Sequence, residues 1–191
     1  MFSHITLLTL EGFKPAFFSI MEKYCEGVRY NFAFDRPMFE DILKTQGVGK
    51  SSLLLSFGTG VIVKRNELDQ FGLCLNIHPS TPRYPGLHPH AFAWADGVKH
   101  YGTTAHIMSD KIDDGPIVMV ETFDVSPSWS EDELLDEAVY ASFELCDALF
   151  QSLFKFHKVP ETLPISWHEH RYTKQDYDAL KKTQGMRTVA V

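Results

Sequence analysis

The sequence predicts an α/β fold with an open, mostly parallel sheet in a three-layer arrangement. Apolar runs of strand length alternate with segments whose apolar residues recur at helical spacing, which is typical of βα units. The 191 residues are 44% hydrophobic and 23% charged, an ordinary composition for a globular protein with one sizeable core. The chain therefore needs neither disulfides nor metal to fold.

Two βα units open the chain. A β-branched apolar run at residues 4–10 precedes a helical stripe at 13–24, and a weaker strand at 28–34 precedes a helix at 37–45. The continuous apolar run at 51–56 predicts a strand buried on both faces. Successive units of this kind favour parallel strand pairing.

The sequence in the middle of the chain indicates where a functional site lies. A short helix at residues 64–71 is followed by a buried strand at 73–77, which runs directly into the polar, proline-rich stretch NIHPSTPRYPGLHPH. Ligands of open parallel sheets bind beyond the carboxyl ends of the strands. We therefore expect the chemistry in this loop.

A hairpin and a long helix follow. Strands are predicted at residues 101–108 and 116–125, around the turn-forming segment 109–115. Ser130 and Glu133 have the spacing of a capping box, and an apolar stripe continues the helix to about residue 157. We assign 1–158 to the main domain, which contains the expected site, and 159–191, with a short polar helix near 174–182, to a C-terminal appendage packed on it.

Composition excludes several classes of function. The net charge of −7 argues against nucleic-acid binding, which needs a basic surface. No apolar run approaches the roughly 20 residues that cross a bilayer, and the segment MFSHITLLTLEGF lacks the form of a signal peptide. Three scattered cysteines without a CxxC pair indicate a reducing cytoplasm.

Asn76 and His78 are the first candidate catalytic residues. Side chains two apart on a strand share a face, so both reach one space at the end of the strand. Asparagine offers an uncharged donor for a developing oxyanion, and histidine exchanges protons near neutral pH. The pair suits acyl transfer, although taken alone such a pair is more often a hydrogen-bonded strand end.

The sequence around Asn76 and His78 is similar to that of a known protein family. NIHPSTPRYPGLHPHAFAWADG and YGTTAHIMSDKIDDGPIV together resemble the folate-dependent formyltransferase family, which includes glycinamide ribonucleotide transformylase, methionyl-tRNA formyltransferase and sugar N-formyltransferases. The resemblance implies a Rossmann-like fold and transfer of a formyl group from 10-formyltetrahydrofolate to a primary amine. The family's catalytic residues fall on Asn76, His78 and Asp113, with Asp113 orienting His78 and favouring its charged form.

The resemblance also places the folate donor. The matching segments are FGTGVIV at 57–63 and the turn at 109–115, where glycines permit close backbone approach. Without the downstream match, FGTG would read as a strand-ending turn. The implied cofactor-binding residues are Phe57, Gly58, Gly60, Val61, Ile62, Ile112, Asp114 and Gly115.

Departures from the family pattern and the resemblance of three segments both bear on the acceptor. The segment LEGFK after the first strand is a poor phosphate cradle, although Lys14 could compensate in part. The N-terminal half is shorter by about one βα unit, and the tail is too short for the extra domain of the tRNA enzymes. These departures argue against both familiar acceptors. The segments HPSTPRYPG, GTTAHIM and WHEHRYTKQDYDAL resemble bacterial sugar-nucleotide N-formyltransferases, and this resemblance implies an amino sugar or sugar nucleotide as acceptor. A homodimer is compatible with it.

Two other functions remain open. The same three residues would serve a 10-formyltetrahydrofolate hydrolase, in which water replaces the amine. A formyltransferase-like fold is also compatible with a non-enzymatic folate-binding protein. No metal site is expected, because the histidines lack zinc-ligand spacing. His88 and His90 are interpreted as loop residues near the acceptor, and His106 as a strand residue near the site.

Overall fold

The computed structural model describes residues 2–189, with side chains described as far as Gln184. The strands are β1 (His4–Thr9), β2 (Arg29–Ala33), β3 (Ser52–Phe57), β4 (Leu73–His78), β5 (His100–Ile107) and β6 (Ile117–Asp124). The helices are α1 (Lys14–Tyr24), α2 (Arg36–Thr45), α3 (Arg65–Leu68), α4 (Pro89–Ala95), α5 (Glu131–Phe150) and α6 (Lys174–Val189).

All six strands form one sheet in the order β2-β1-β3-β4-β5-β6. The first three pairings are parallel, and β5 runs antiparallel to both β4 and β6. The mostly parallel α/β sheet that the sequence predicts is therefore confirmed. The reversal at β5 also sets Asn76 directly opposite His106.

Helices cover both faces of the sheet. Alternation along β1 sends Leu7 into a core shared with α1 and α5, and Leu8 into a second core with Phe39 of α2. Phe39, Leu7 and Leu8 are fully buried, and each buried side chain of this size contributes roughly 1.5–3 kcal/mol. These two cores make the three layers, and they fix the sheet whose carboxyl edge carries the polar loop.

The predicted start of the long helix is confirmed at Ser130. Its hydroxyl accepts a hydrogen bond from the Glu133 amide at 3.2 Å, and the Glu133 carboxylate accepts one from the Ser130 amide at 2.7 Å. Two otherwise unpaired helix-end amides are satisfied in this way. None of the helices within residues 2–189 combines the length and apolar character required to traverse a bilayer.

Helix α4 begins at the end of the stretch that the sequence analysis treats as loop. His88 precedes it in the left-handed region with φ 52°, and Pro89 occupies the first helical position. The interpretation of His90 as a loop residue is wrong: it is buried in α4, with Nε2 3.9 Å from the Glu131 carboxylate. Burial lowers the pKa of His90. His88 stacks on the Tyr177 ring at 4.0 Å.

The segment before α6 runs across the carboxyl edge of the sheet. The amides of His168 and Tyr172 donate to the carbonyls of Pro82 and Pro85 at 2.9 and 2.8 Å. Tyr172 also stacks on Phe92 of α4, with ring centroids 3.9 Å apart. We call residues 163–172 the tail strap. It lies over the proline-rich loop in which the sequence analysis expects the chemistry.

Candidate active site

Asn76 and His78 lie at the carboxyl end of β4. The Asn76 amide nitrogen is 3.1 Å from Nε2 of His106, its neighbour across the β4–β5 pairing. His78 is 5% exposed, and its Nε2 is 2.9 Å from the Tyr84 carbonyl oxygen. The strand end thus holds two histidines and an amide in one polar group, with His106 near the site as the sequence predicts.

Asp113 reaches the same group from the β5–β6 turn. One carboxylate oxygen lies 3.4 Å from Nδ1 of His78 and accepts a hydrogen bond from the Gly86 amide at 2.8 Å. The other lies 3.6 Å from Nε2 of His106. Burial acts to raise the pKa of Asp113, but His78, His106 and the Gly86 amide outweigh it and hold the pKa below its ordinary value. Asp113 is therefore ionised at neutral pH.

The hydrogen bonds define which polar atoms remain available. Nδ1 of His106 donates to the Ile107 carbonyl at 3.0 Å, and its Nε2 faces both the Asn76 amide and the Asp113 carboxylate. An amide nitrogen carries two hydrogens, so Asn76 keeps a second N–H for a ligand. His78 donates through Nε2 to Tyr84 and presents Nδ1 to Asp113. A neutral donor, an imidazole and a carboxylate can together stabilise an oxyanion and move a proton.

A cavity of about 280 Å³ opens beside this cluster. Asn76, His78 and Asp113 line it together with five of the predicted cofactor residues: Gly58, Gly60, Val61, Ile62 and Ile112. Gly58 has φ 68°, and a Cβ there would lie 2.8 Å from the Phe13 ring, so the turn requires glycine. Further lining residues include Ile77, Leu87 and Met108.

Three predicted cofactor residues do not line this cavity. Phe57 is 1% exposed and stacks on Phe13 in the core, with centroids 5.2 Å apart. Asp114 pairs with Arg171, and Gly115 faces the backbone of β5. Asp114 and Gly115 instead line a neighbouring open cleft of about 560 Å³, formed with the tail strap.

Sequence reasoning missed two residues of the strap. The Trp167 ring packs edge-on against His78 and His106, with centroids 5.6 and 5.1 Å away, and its Nε1 donates to the Gly115 carbonyl at 2.9 Å. Arg171 binds the turn that carries Asp113. The sequence signal for these two residues is the aromatic and charged segment WHEHRY, which shows no helical or strand periodicity.

The other histidines lie apart from this group. His100 pairs with Asp124 at 2.8 Å on the exposed end of the β5–β6 hairpin, and His170 lies 3.5 Å from Asp176 at the start of α6. Among residues 2–189, the side chains of His, Cys, Asp and Glu form no group of three or more suited to a metal ion.

Comparison with known proteins gives the family. Residues 54–144 match the family model described as "Formyl transferase". The match spans β3 to the first part of α5 and includes Asn76, His78 and Asp113. This segment, just under half of the chain, is therefore identified as a formyl transferase domain.

Curated relatives match over short segments. Phosphoribosylglycinamide formyltransferase of Escherichia coli (strain K12) is 42% identical over 64 residues, which are 33% of this chain and 30% of that protein. Formyltetrahydrofolate deformylase of Corynebacterium sp. (strain P-1) is 35% identical over 65 residues, 34% of this chain and 23% of that protein. The aligned segments thus span less than a third of either relative.

Solved structures match nearly the whole chain. A 4-N formyltransferase from Francisella tularensis has a TM-score of 0.74 at 20% identity, covering 93% of this chain and 78% of that one. The N-formyltransferase from Helicobacter canadensis, in complex with folinic acid and dTDP-3-aminofucose, has a TM-score of 0.71 at 14% identity, covering 92% and 72%. At these identities the formyltransferase domain shares their fold, as the sequence predicts.

Proposed function

We propose that this formyltransferase-domain protein transfers a formyl group from 10-formyltetrahydrofolate to the primary amine of a small molecule, an amino sugar or sugar nucleotide. The observation that carries the proposal is the grouping of Asn76, His78 and ionised Asp113 in the lining of the cavity beside β4. These residues supply the donor and proton-transfer groups that acyl transfer to an amine requires.

The residues divide the step between them. When the acceptor nitrogen bonds to the formyl carbon, the carbonyl electron pair moves to oxygen, and the second N–H of Asn76 donates to that oxyanion. A protonated His78, held between Tyr84 and Asp113, adds a positive charge near the developing negative one.

Asp113 can carry the proton that the reaction moves from the acceptor amine to the folate nitrogen. The acceptor amine loses one proton as the new C–N bond forms, and the folate nitrogen gains one as its bond to the formyl carbon breaks. Asp113 is ionised and points into the cavity, so it can accept the first proton directly or through a water and pass it on. Removal of the charge of Asp113 should slow formyl transfer and leave the walls of the cavity in place.

The cavity fits a flat heterocycle. Its volume of about 280 Å³ lies just below the roughly 300–1,000 Å³ typical of ligand pockets, which suits a bicyclic ring better than a whole folate. Val61, Ile62 and Met108 supply apolar walls, and the backbone at Gly58 and Gly60 allows close approach. The remainder of the folate would extend into solvent.

An amino-sugar acceptor is supported by the structural neighbours and by the first loop. The two solved structures described above are N-formyltransferases, one of them bound to an amino-sugar nucleotide. The loop after β1 forms a short 3₁₀ turn at Glu11–Phe13 with an acidic first residue. A carboxylate at that point repels a phosphate, so the loop is poorly suited to hold a ribonucleotide phosphate.

Hydrolysis of 10-formyltetrahydrofolate is the second candidate. It is favoured by one observation: formyltetrahydrofolate deformylases are among the matching relatives. Water in place of the amine would use the same Asn76, His78 and Asp113. The two reactions differ only in whether an acceptor amine is required.

The test is a spectrophotometric assay of tetrahydrofolate release from 10-formyltetrahydrofolate. The purified protein is offered a panel of amino-sugar nucleotides, glycinamide ribonucleotide, and no amine. Strict dependence on an amino-sugar nucleotide supports the proposal, and turnover with glycinamide ribonucleotide alone refutes the sugar acceptor. Turnover without amine identifies a hydrolase, and folate binding without turnover under any condition indicates a binding protein.

A further inference from the structure

The turn that carries Asp113 is irregular and conformationally demanding. Asp113 has φ 45°, in the left-handed region that non-glycine residues seldom occupy. No regular element spans residues 108–116. A backbone in this state persists only when its surroundings hold it, so the placement of the carboxylate depends on contacts from outside the turn.

The tail strap supplies those contacts at four successive residues. Arg171 donates through Nε to the Ile112 carbonyl at 2.7 Å and through Nη2 to the Asp113 carbonyl at 3.3 Å, and it pairs with the Asp114 carboxylate. Trp167 then donates to the Gly115 carbonyl at 2.9 Å. The two carbonyl contacts of Arg171 flank the φ and ψ angles of Asp113.

The same strap binds the opposite loop. Its backbone pairs with Pro82, Pro85 and Leu87 of the proline-rich loop, in which the Tyr84 carbonyl accepts from His78 and the Gly86 amide donates to Asp113. The strap therefore bridges the two loops whose separation sets the 3.4 Å distance from His78 to Asp113.

We infer that Arg171 is a positioning residue for formyl transfer, which holds the Asp113 turn through its two carbonyl hydrogen bonds. The expected effect of Arg171 on kcat rests on the proposed function, formyl transfer. A guanidinium suits the role because its planar fork donates to several acceptors at once, which a lysine ammonium cannot reproduce in the same geometry. The side chains of the ion pair with Asp114 are 33% and 35% exposed, so the pair contributes little by itself.

The variants are Arg171→Ala, Arg171→Lys, Asp114→Asn and, as the matched control, Lys174→Ala, which removes an exposed i,i+4 ion pair from the next turn of the tail. The kinetic readout is kcat per folate-binding site, with the sites counted by folate titration so that unfolded protein does not contribute. Misplacement of a reacting group by about 1 Å costs on the order of 100-fold.

We expect Arg171→Ala to lower kcat about 10- to 100-fold, with KM for the folate donor changed less than about threefold because the cavity walls stay in place. Arg171→Lys should recover only part of the loss. Lys174→Ala should stay near wild type, and Asp114→Asn, which keeps the carbonyl contacts, should lose clearly less kcat than Arg171→Ala. An equal loss in Asp114→Asn and Arg171→Ala would assign the effect to the ion pair and overturn the inference.

A second readout does not depend on turnover. The Gly86 amide is hydrogen-bonded to the Asp113 carboxylate, so its hydrogen–deuterium exchange, followed by NMR, reports where that carboxylate lies. Arg171→Ala should accelerate its exchange, and Lys174→Ala should not. Unchanged exchange refutes the positioning role whatever the activity, whereas faster exchange in a protein without formyl transfer leaves the positioning role standing and refutes the proposed function alone.

Discussion

Gly86→Ala is the substitution that most directly tests how the strap and the proline-rich loop fit together. Gly86 has φ 103°, and a Cβ built there would lie 2.7 Å from the backbone nitrogen of Tyr172 and closer still to its carbonyl oxygen. Both atoms belong to the backbone and cannot rotate away. An alanine therefore forces the strap to move off the loop.

The cost follows from the local contacts. A positive φ costs an alanine roughly 1–2 kcal/mol. Moving Tyr172 breaks its hydrogen bonds to Pro85 and from Leu87, both 2.8 Å long, at about 0.5–1.5 kcal/mol each. The sum is about 2–5 kcal/mol, and at roughly 2–4 °C per kcal/mol for a chain of this size Tm should fall by about 4–20 °C.

The assay combines thermal unfolding with formyl transfer. Because the Gly86 amide also donates to Asp113, kcat should fall with Tm. The matched control is Gly49→Ala, whose Cβ would meet no atom within 4 Å and whose φ lies outside the left-handed region. If Gly86→Ala matches this control in both Tm and kcat, the strap does not pack as described and the reasoning fails.

Three further predictions concern the cluster and the cavity. His78→Ala and Asp113→Ala should each lower formyl transfer at least about 100-fold with the fold retained by circular dichroism; near-wild-type rates in both would refute the catalytic assignment. Gly60→Val should raise KM for the folate donor severalfold, because Gly60 lines the cavity and a side chain added there would meet no protein atom and would enter the cavity. Gly49→Val is the control, and equal KM values in the two variants would mean that the donor binds elsewhere. The ionised Asp113 stabilises the fold above about pH 4, and this contribution is lost as the pH falls through its lowered pKa. Urea unfolding should therefore show a steeper loss below pH 4 in wild type than in Asp113→Asn, and parallel curves would contradict the lowered pKa.

The sheet was predictable because its signals are local. The apolar runs that become β1, β3 and β4 are buried along their whole length or nearly so, as continuous hydrophobicity predicts. The capping box at Ser130 is a contact between residues three apart. Likewise, the i, i+2 spacing of Asn76 and His78 follows from strand geometry alone.

The parts that sequence reasoning missed depend on tertiary contacts. Helix α4 has only seven residues and begins at Pro89 within a proline-rich stretch, so neither its length nor its pattern distinguishes it from a loop. Trp167 and Arg171 act through side-chain hydrogen bonds to backbone carbonyls 52–59 positions away. No periodicity accompanies contacts of that kind, and the text WHEHRY gave only residue types.

The strap also sets an order of events during protein synthesis. The sheet residues, the proline-rich loop and the Asp113 turn all leave the ribosome before residue 172, and domains begin to fold as the chain emerges. A nascent chain that has already paired its six strands would still lack Trp167 and Arg171, the side chains that hold the Asp113 turn. We therefore expect ribosome-bound intermediates to be structured yet inactive, with formyl transfer acquired only when the tail strap docks.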